Sequence, residues 1–300
     1  MNYPTVSVVI ATRNRPQMLR VAIDAVMNQT YPGLIECIVV FDRTEPDVDL
    51  LRSETSRTVV VTENGRTGGL AGARNSGILL AQGDLVAFCD DDDVWLPSKL
   101  EKQVATLGSA YTSVTGIVID YGGRTAVRIP DQASFTLQNL VRNRIMEAHP
   151  SSVLMRRDAL LGHVGLVDEE LPGSYAEDFD LILRAAQAGP ISVVDEALVK
   201  VHWGQSLFSR DWGVIREAID YLLAKHEVLR TDRKASARLY GRRAFASAGL
   251  GDRRQAFRDC WTTWRLQPLQ QRIYVTLPVA MGLMTAEQML DLAHKRGRGI

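Results

Sequence analysis

The stretch "VSVVIATRNRPQMLRVAIDAVMNQTYPG", residues 6–33, decides the fold. Its first six residues form a continuous, β-branched run, the pattern of a strand covered on both faces in a mostly parallel sheet; a half-exposed strand would alternate. Pro16 stands where the first turn of a helix tolerates a missing N–H. Leu19, Ile23, Val26 and Met27 then supply an apolar stripe, and Pro32-Gly33 stops the run. The unit is therefore a strand followed by a helix, and it repeats. "IECIVVFD" (35–42) and "TVVVTE" (58–63) read as strands, "GGLAGARNSGILLAQGD" (68–84) as a helix introduced by glycine and closed at Gly83, and "LVAFC" (85–89) as a further strand. This alternation, continuing through residue 107, predicts a doubly wound α/β sheet with right-handed crossovers, where ligands bind beyond the carboxyl ends of the strands. Thr12, Asp42 and the run Asp90 to Asp93 all fall at such ends, so one rim should gather them.

The run itself, "FCDDDDVW" (88–95), needs a cation, because four adjacent carboxylates repel one another. Asp90 and Asp92, two apart on an extended end, should point to one side and could share Mg²⁺ or Mn²⁺. Such ions take one or two carboxylates and complete their shell with phosphate oxygens, which implies a substrate carrying a diphosphate. The plainer reading is a solvated turn, or a cap for the helix that begins near Pro97-Ser98. Position favours the site: the run follows a strand and is flanked by apolar residues.

Further along, "SVTGIVIDYGG" (113–123) reads as a strand, "AEDFDLILRAAQAG" (176–189) as a helix with Phe179, Ile182, Leu183 and Ala186 on its stripe, and "ALVKVHW" (197–203) as a strand. Residues 109–150 are otherwise irregular. From residue 211 the pattern is helical, with candidates at 213–229, 233–248, 252–266 and 285–296 and a helix-hairpin turn at Gly249 to Asp252. The expected division is a domain over 1–210, with a half that carries the ligand rim (1–107) and a half that wraps the substrate side (108–210), followed by a helical region over 211–300.

"VSVVIATRNRP", "VVFD", "GLAGARNSGILLAQGDLVAFCDDDDVWLPSKLEKQV" and "GSYAEDFDLILRAAQAG", in this order, resemble family 2 glycosyltransferases of the GT-A fold over residues 5–205. The resemblance implies a Rossmann-like, mostly parallel sheet flanked by helices, and it makes 1–107 a nucleotide-binding half and 108–210 an acceptor-side half. It also implies a metal-dependent enzyme that moves a sugar, with inversion, from a nucleoside diphosphate sugar to a hydroxyl acceptor such as a glycan, a lipid-linked sugar or a natural product. UDP is the expected nucleotide, with dTDP and GDP as alternatives. Thr12, Asp42, Arg74 and Asn75 match positions lining the nucleotide pocket, Asp42 being suited to accept from the N3–H of uracil or thymine. Asp90 matches the acid facing the ribose, with Asp91 beside it, and Asp92 the acid holding Mn²⁺ or Mg²⁺ on the diphosphate. Asp178 matches the base that deprotonates the acceptor, and Glu177 its neighbour. Asp93 is a supporting acid. His202 reads either as a metal ligand or as a packed strand histidine, and Trp95 and Trp203 either as sugar-stacking rings or as packing. Ser151 and Ser152, in "HPSSVLMRR" (149–157), are candidate acceptor contacts. Asp180 and Arg184 need no function, since an i,i+4 ion pair explains them.

Bulk properties narrow the alternatives. Lys+Arg and Asp+Glu number 35 each, so no global field marks a nucleic-acid binder. Cys37, Cys89 and Cys260 are scattered and lack CxxC spacing, which argues against a disulfide framework or a structural zinc and suits a reducing cytoplasm. No apolar run approaches the roughly 20 residues of a membrane span, and the start lacks the pattern of a secretion signal. Between residues 225 and 272, however, twelve Lys/Arg face four Asp/Glu. That tail reads as a helical hairpin that could serve as a dimer surface, or as a peripheral contact with an anionic membrane. The rival activities are a sugar-phosphate nucleotidyltransferase, which would normally carry a basic Gly-rich signature near the first strand, and a non-catalytic nucleotide-sugar binder, which would tolerate loss of Asp92 or Asp178.

Overall fold

The structure is a computed structural model and describes residues 3–202 and 211–295, with side chains to residue 292. The chain divides into two compact units. The first comprises residues up to Leu140, Ile145–Glu169 and Glu177–Gly204; the second comprises Val141–Arg144, Glu170–Ala176 and the chain from Gln205 onward. Two short segments thus group with the C-terminal helices, which a single division at residue 210 does not anticipate.

In the first unit the chain runs β1 (Val6–Thr12), α1 (Pro16–Met27), β2 (Ile35–Phe41), β3 (Arg52–Ser53), β4 (Arg57–Glu63), α2 (Leu70–Leu80), β5 (Leu85–Phe88), β6 (Val94–Trp95), α3 (Lys99–Leu107), β7 (Thr112–Asp120) and β8 (Thr125–Arg128). It continues through α4 (Leu137–Arg142), β9 (Leu154–Arg156), α5 (Arg157–Leu161), α6 (Glu177–Ala188) and β10 (Ile191–His202). The strands order as β3-β4-β2-β1-β5-β9-β7-β10-β6, with β8 paired to β7. β4, β2, β1 and β5 are mutually parallel, as are β7 and β10, while β9 runs antiparallel between the two sets. The sheet is therefore mostly parallel. The inserted strand β9 comes from "LMR", just beyond the irregular stretch, where three residues give no periodic signal.

Burial on both faces explains the unbroken apolar run of β1. Val6, Val8 and Ile10 join the core built with Leu19, Ala22, Ile23 and Val26 of α1. Val9 points the other way, against α2, whose Gly77 approaches so closely that a Cβ there would sit 2.4 Å from a Val9 methyl. Parallel register then fixes the rim. Thr12 pairs with Phe41, so Asp42 follows directly beside it, its N–H donating to Thr12 O at 2.9 Å; Cys89 N–H likewise donates to Val9 O at 3.1 Å, placing Asp90 on the same edge.

The second unit holds α7 (Trp212–Lys225), α8 (Glu227–Thr231), α9 (Arg233–Gly249), α10 (Arg253–Leu266), α11 (Gln271–Ala280) and α12 (Ala286–Lys295). Asp211, Asp232 and Asp252 cap α7, α9 and α10, each carboxylate accepting backbone N–H groups of the first turn. α9 packs against α7, α10 and α11, which accounts for its Ala-, Ser- and Gly-rich, nearly all-round buried sequence. The helix expected over 213–229 is broken at His226, whose backbone is extended. α11 was not anticipated, since Pro278 lies inside it and reads as a breaker.

Candidate functional site

The acid run does not continue an extended strand. Asp93 N–H donates to Asp90 O at 3.1 Å, closing a turn, and each carboxylate is engaged. Asp90 Oδ1 lies 2.6 Å from Arg74 Nη2 of α2. Asp91 accepts from the Thr12 hydroxyl at 2.7 Å and from Arg15 at 3.0 Å. Asp92 accepts from the same Arg15 Nη1 at 2.7 Å. Asp93 accepts from the Ser151 hydroxyl at 2.5 Å and from the His202 backbone N–H at 3.3 Å. Arg74 is buried and also binds Glu177 at the start of α6, so one guanidinium ties the acid turn to the helix carrying Asp178. Part of the cation that the run demands is thus supplied by two arginines.

Exposure separates the four acids. The side chains of Asp90 and Asp92 remain 25% and 24% exposed, whereas Asp91 and Asp93 are sealed at 7% and 1%. The alternation expected of an extended end is therefore produced by a turn, which leaves the first and third carboxylates open and uses the second and fourth internally. Burial pushes the Asp93 carboxyl up, and the neighbouring Asp90 and Asp92 charges add to the effect. His149 approaches the same turn, Nε2 at 3.8 Å from Asp90 and Nδ1 at 3.4 Å from Asp93. Asp90, Asp93 and His149 place ligand atoms within 4.8 Å of one another, a set able to hold a metal ion. Sequence reading did not single out His149 or Arg15; nothing in the local pattern joins residue 15 to residue 91, or residue 149 to residue 90.

The other expected residues fall at different distances from this centre. Asp42, nearly buried, accepts at Oδ1 from Asn64 Nδ2 at 2.8 Å and Gly69 N–H at 3.0 Å, which pins the loop entering α2 and leaves Oδ2 without a partner among the described residues. Asn75 is sealed: its amide donates to Val167 O at 2.8 Å and Glu169 at 2.6 Å and accepts from Val167 N–H at 2.9 Å. It clamps the 167–169 loop instead of lining an open pocket. Glu169, bonded by Asn75, Arg66 and Thr67, is held down at about 2 against the cost of burial. Asp178 is half-buried, accepts only from Phe179 N–H at 2.7 Å, and makes no ion pair among the described residues, unlike Glu177 beside it. His202 is exposed at the end of β10, so the packed alternative fails.

Three expectations are corrected. Trp95 is 2% exposed within the core, with the Lys99 ammonium 3.7 Å from its ring centre, so it cannot stack on a sugar. That ammonium is wholly buried, and desolvation pushes its pKa down to about 7. Ser151 and Ser152 are fully buried, Ser151 bonding Asp93 and the Asp90 N–H and Ser152 the carbonyls of Glu147 and His149. They hold the acid turn and its histidine, and no acceptor can reach them. Trp203 lies outside the described residues. The Asp180–Arg184 pair forms at 2.8 Å, and Arg184 also donates to the carbonyls of Val164, Gly165 and Leu166.

Backbone strain marks the same places. Among the described residues the non-glycine residues with positive φ are Asn14, Arg43, Ser174 and Ala176. The first lies between Thr12 and Arg15, the second follows Asp42, and the last two precede Glu177. Left-handed conformations at such residues persist only where the surroundings enforce them, and they cluster at functional sites.

Comparison with known proteins identifies the family. Residues 7–162 match the family described as Glycosyl transferase family 2. Over 100 residues the chain is 31% identical to the UDP-Glc:alpha-D-GlcNAc-diphosphoundecaprenol beta-1,3-glucosyltransferase WfaP of Escherichia coli, covering 33% of this chain and 39% of that protein. It is 26% identical over 185 residues to the uncharacterized glycosyltransferase YwdF of Bacillus subtilis, covering 61% and 68%. Among solved structures, S. aureus TarS 1-349 in complex with UDP-GlcNAc aligns with a TM-score of 0.64 at 18% identity, covering 98% of this chain and 92% of that one. The mannosyltransferase PcManGT from Pyrobaculum calidifontis, in complex with GDP-Man and Mn²⁺, aligns with a TM-score of 0.57 at 14% identity, covering 94% and 81%. The sheet thus has the GT-A arrangement of these enzymes, and the chain belongs to glycosyl transferase family 2.

Proposed function

We propose that the protein transfers a sugar, with inversion, from a UDP-sugar to a hydroxyl acceptor, with Asp178 as the base. The observation that carries this reading is the pairing of opposite roles at one rim: Glu177 is locked on Arg74, while Asp178 beside it stays open and free of any ion pair among the described residues. In the proposed step Asp178 takes the acceptor O–H proton, the oxygen forms a bond to the anomeric carbon, and the bond from that carbon to the diphosphate breaks with its electron pair leaving on the nucleotide. The uncommitted Oδ2 of Asp42 is suited to accept from the N3–H of uracil. UDP is also the nucleotide named for the WfaP relative and for the TarS complex.

The acid turn fits a dication. Asp92 and Asp90 are its open carboxylates, His202 is exposed at the turn that its own backbone N–H joins, and Asp93 and His149 bring ligand atoms to within 4.8 Å of those of Asp90. When bound there, Mn²⁺ or Mg²⁺ would supply Lewis-acid stabilisation of the departing diphosphate. Arg15, a third exposed and shared between Asp91 and Asp92, is positioned to exchange part of that contact for phosphate oxygens. A lipid-linked acceptor, as named for WfaP, would suit a protein that meets the membrane peripherally through exposed Phe257, Trp261 and Trp264 on α10.

Asp178→Asn tests the assignment. It should leave UDP-sugar binding within about threefold of wild type while lowering turnover by about 10²–10⁴-fold, the usual contribution of a general base. Equal loss of binding and turnover would place Asp178 in the donor site instead.

A further inference from the structure

The C-terminal unit contains a second concentration of charge that sugar transfer at the acid turn does not use. Arg238 and Arg242 stand four apart on α9 and so share a face. The stem of Arg272 from α11 lies against α9 between them, its Cβ 3.1 Å from where a side chain on Gly241 would begin. Arg238 donates to Val141 O at 3.1 Å. Arg242 covers the ring of Tyr175 at 5.2 Å, and the Tyr175 hydroxyl and Arg272 Nε are both buried without a hydrogen-bond partner among the described residues.

Electrostatics set this cluster apart from its surroundings. Arg243, one residue along α9, binds Asp259 at 2.7 Å and also pairs with Asp220; these carboxylates raise its pKa despite the opposing effect of burial. Arg142 and Arg216 likewise meet Asp232 and Asp252. Arg238 is pushed down to about 9, first by burial and then by Arg272, Arg242 and Arg144. Arg272 is pushed down to about 10, by burial and then by Arg242 and Arg144, with Tyr175 opposing. Neither Arg242 nor Arg272 meets a carboxylate among the described residues. Half-buried cations that repel one another, next to an unsatisfied hydroxyl donor, are costly unless an anion joins them. The planar, forked donors of guanidinium match tetrahedral phosphate oxygens, and several of them together favour a ligand with more than one negative charge.

We propose that Arg238, Arg242 and Arg272, with the Tyr175 hydroxyl, form a binding site for a phosphate-class anion of the diphosphate type, carried by a soluble phosphoryl ligand or by an anionic lipid headgroup. The site is independent of the acid turn and needs no metal.

The test uses the full chain in EDTA at constant ionic strength, with thermal unfolding followed against inorganic pyrophosphate. Wild type should show a saturable rise in Tm, with chloride at matched ionic strength giving none. Arg242→Gln and Arg272→Gln should bind pyrophosphate at least tenfold more weakly, while unfolding without anion at or above the wild-type temperature because a repulsion has been removed. Arg254→Gln, an exposed arginine on α10, should behave as wild type. Asp92→Asn should keep the full pyrophosphate response, so a failure of the donor-site reading would leave this result intact. Co-sedimentation with phosphatidylglycerol vesicles, against phosphatidylcholine vesicles, separates the sources: loss of vesicle binding in Arg242→Gln with competition by pyrophosphate assigns the lipid headgroup, and vesicle binding equal in both variants assigns the soluble ligand. The proposal is overturned if pyrophosphate gives no saturable response, if the two variants retain wild-type affinity, or if they unfold well below wild type without anion, which would make the arginines structural.

Discussion

The acid turn after β5 and the arginine cluster on α9 are both crowds of like charge, resolved in opposite ways. The four carboxylates meet Thr12 and Arg15 from the β1–α1 junction, Arg74, Ser151 and the His202 backbone, four separate parts of the first unit. The arginines of the second unit find carboxylates at Arg142, Arg216 and Arg243 but not at Arg242 or Arg272 among the described residues. A compensated cluster can be folded and waiting, with only its open members, Asp90 and Asp92, left for a ligand. In the other, Arg242 and Arg272 meet no carboxylate among the described residues, and the proposed ligand would relieve their repulsion. The first design makes the protein depend on its internal partners for stability; the second makes stability depend on what is bound.

The contrast can be broken most severely at Arg74. Arg74→Met would leave Asp90 and buried Glu177 without their shared cation and should destabilise the protein by about 3–5 kcal/mol, measured by urea unfolding, because an orphaned buried charge costs more than the pair contributed. A smaller effect is expected in the second unit. Arg243→Gln strands Asp259, which is 2% exposed, and should cost about 1–3 kcal/mol. Arg242→Gln, one residue away, should change stability by less than about 0.5 kcal/mol or increase it. Equal losses at 242 and 243 would erase the distinction between the two kinds of arginine.

A further effect concerns pH. Glu169 is depressed in the folded protein to about 2, below its ordinary carboxylate value, so its contribution is fully present above the unfolded pKa, roughly 4.3, and is lost as pH falls through about 2. Glu169→Gln should therefore be less stable than wild type by about 1 kcal/mol at neutral pH, with the difference shrinking between roughly pH 5 and 2. A difference independent of pH over that range would show that the charge of Glu169 is not what fastens the loop to Asn75 and Arg66.

Local patterns made the sheet rim legible. The β-branched run of β1, the stripe of α1 and the glycine-bounded α2 each carry their own periodicity, and parallel register does the rest by bringing Thr12, Asp42 and Asp90 to one edge. What escaped was long-range. Arg15 meets Asp91 across 76 residues and Arg74 meets Glu177 across 103, and no spacing in the chain announces such pairs. Asn75 and Trp95 stand next to recognisable motifs but are consumed by packing, a distinction that only burial reveals. The three-residue strand β9 and the Pro-containing α11 were lost for the ordinary reason that short or interrupted elements have no period.

The most direct measurement is calorimetric titration of the purified protein with UDP, in Mn²⁺ and in EDTA, alongside Asp92→Asn and Asp178→Asn. The account predicts saturable binding in Mn²⁺ alone, lost in Asp92→Asn and kept in Asp178→Asn. Binding of equal strength in EDTA, or none in either condition, would contradict it.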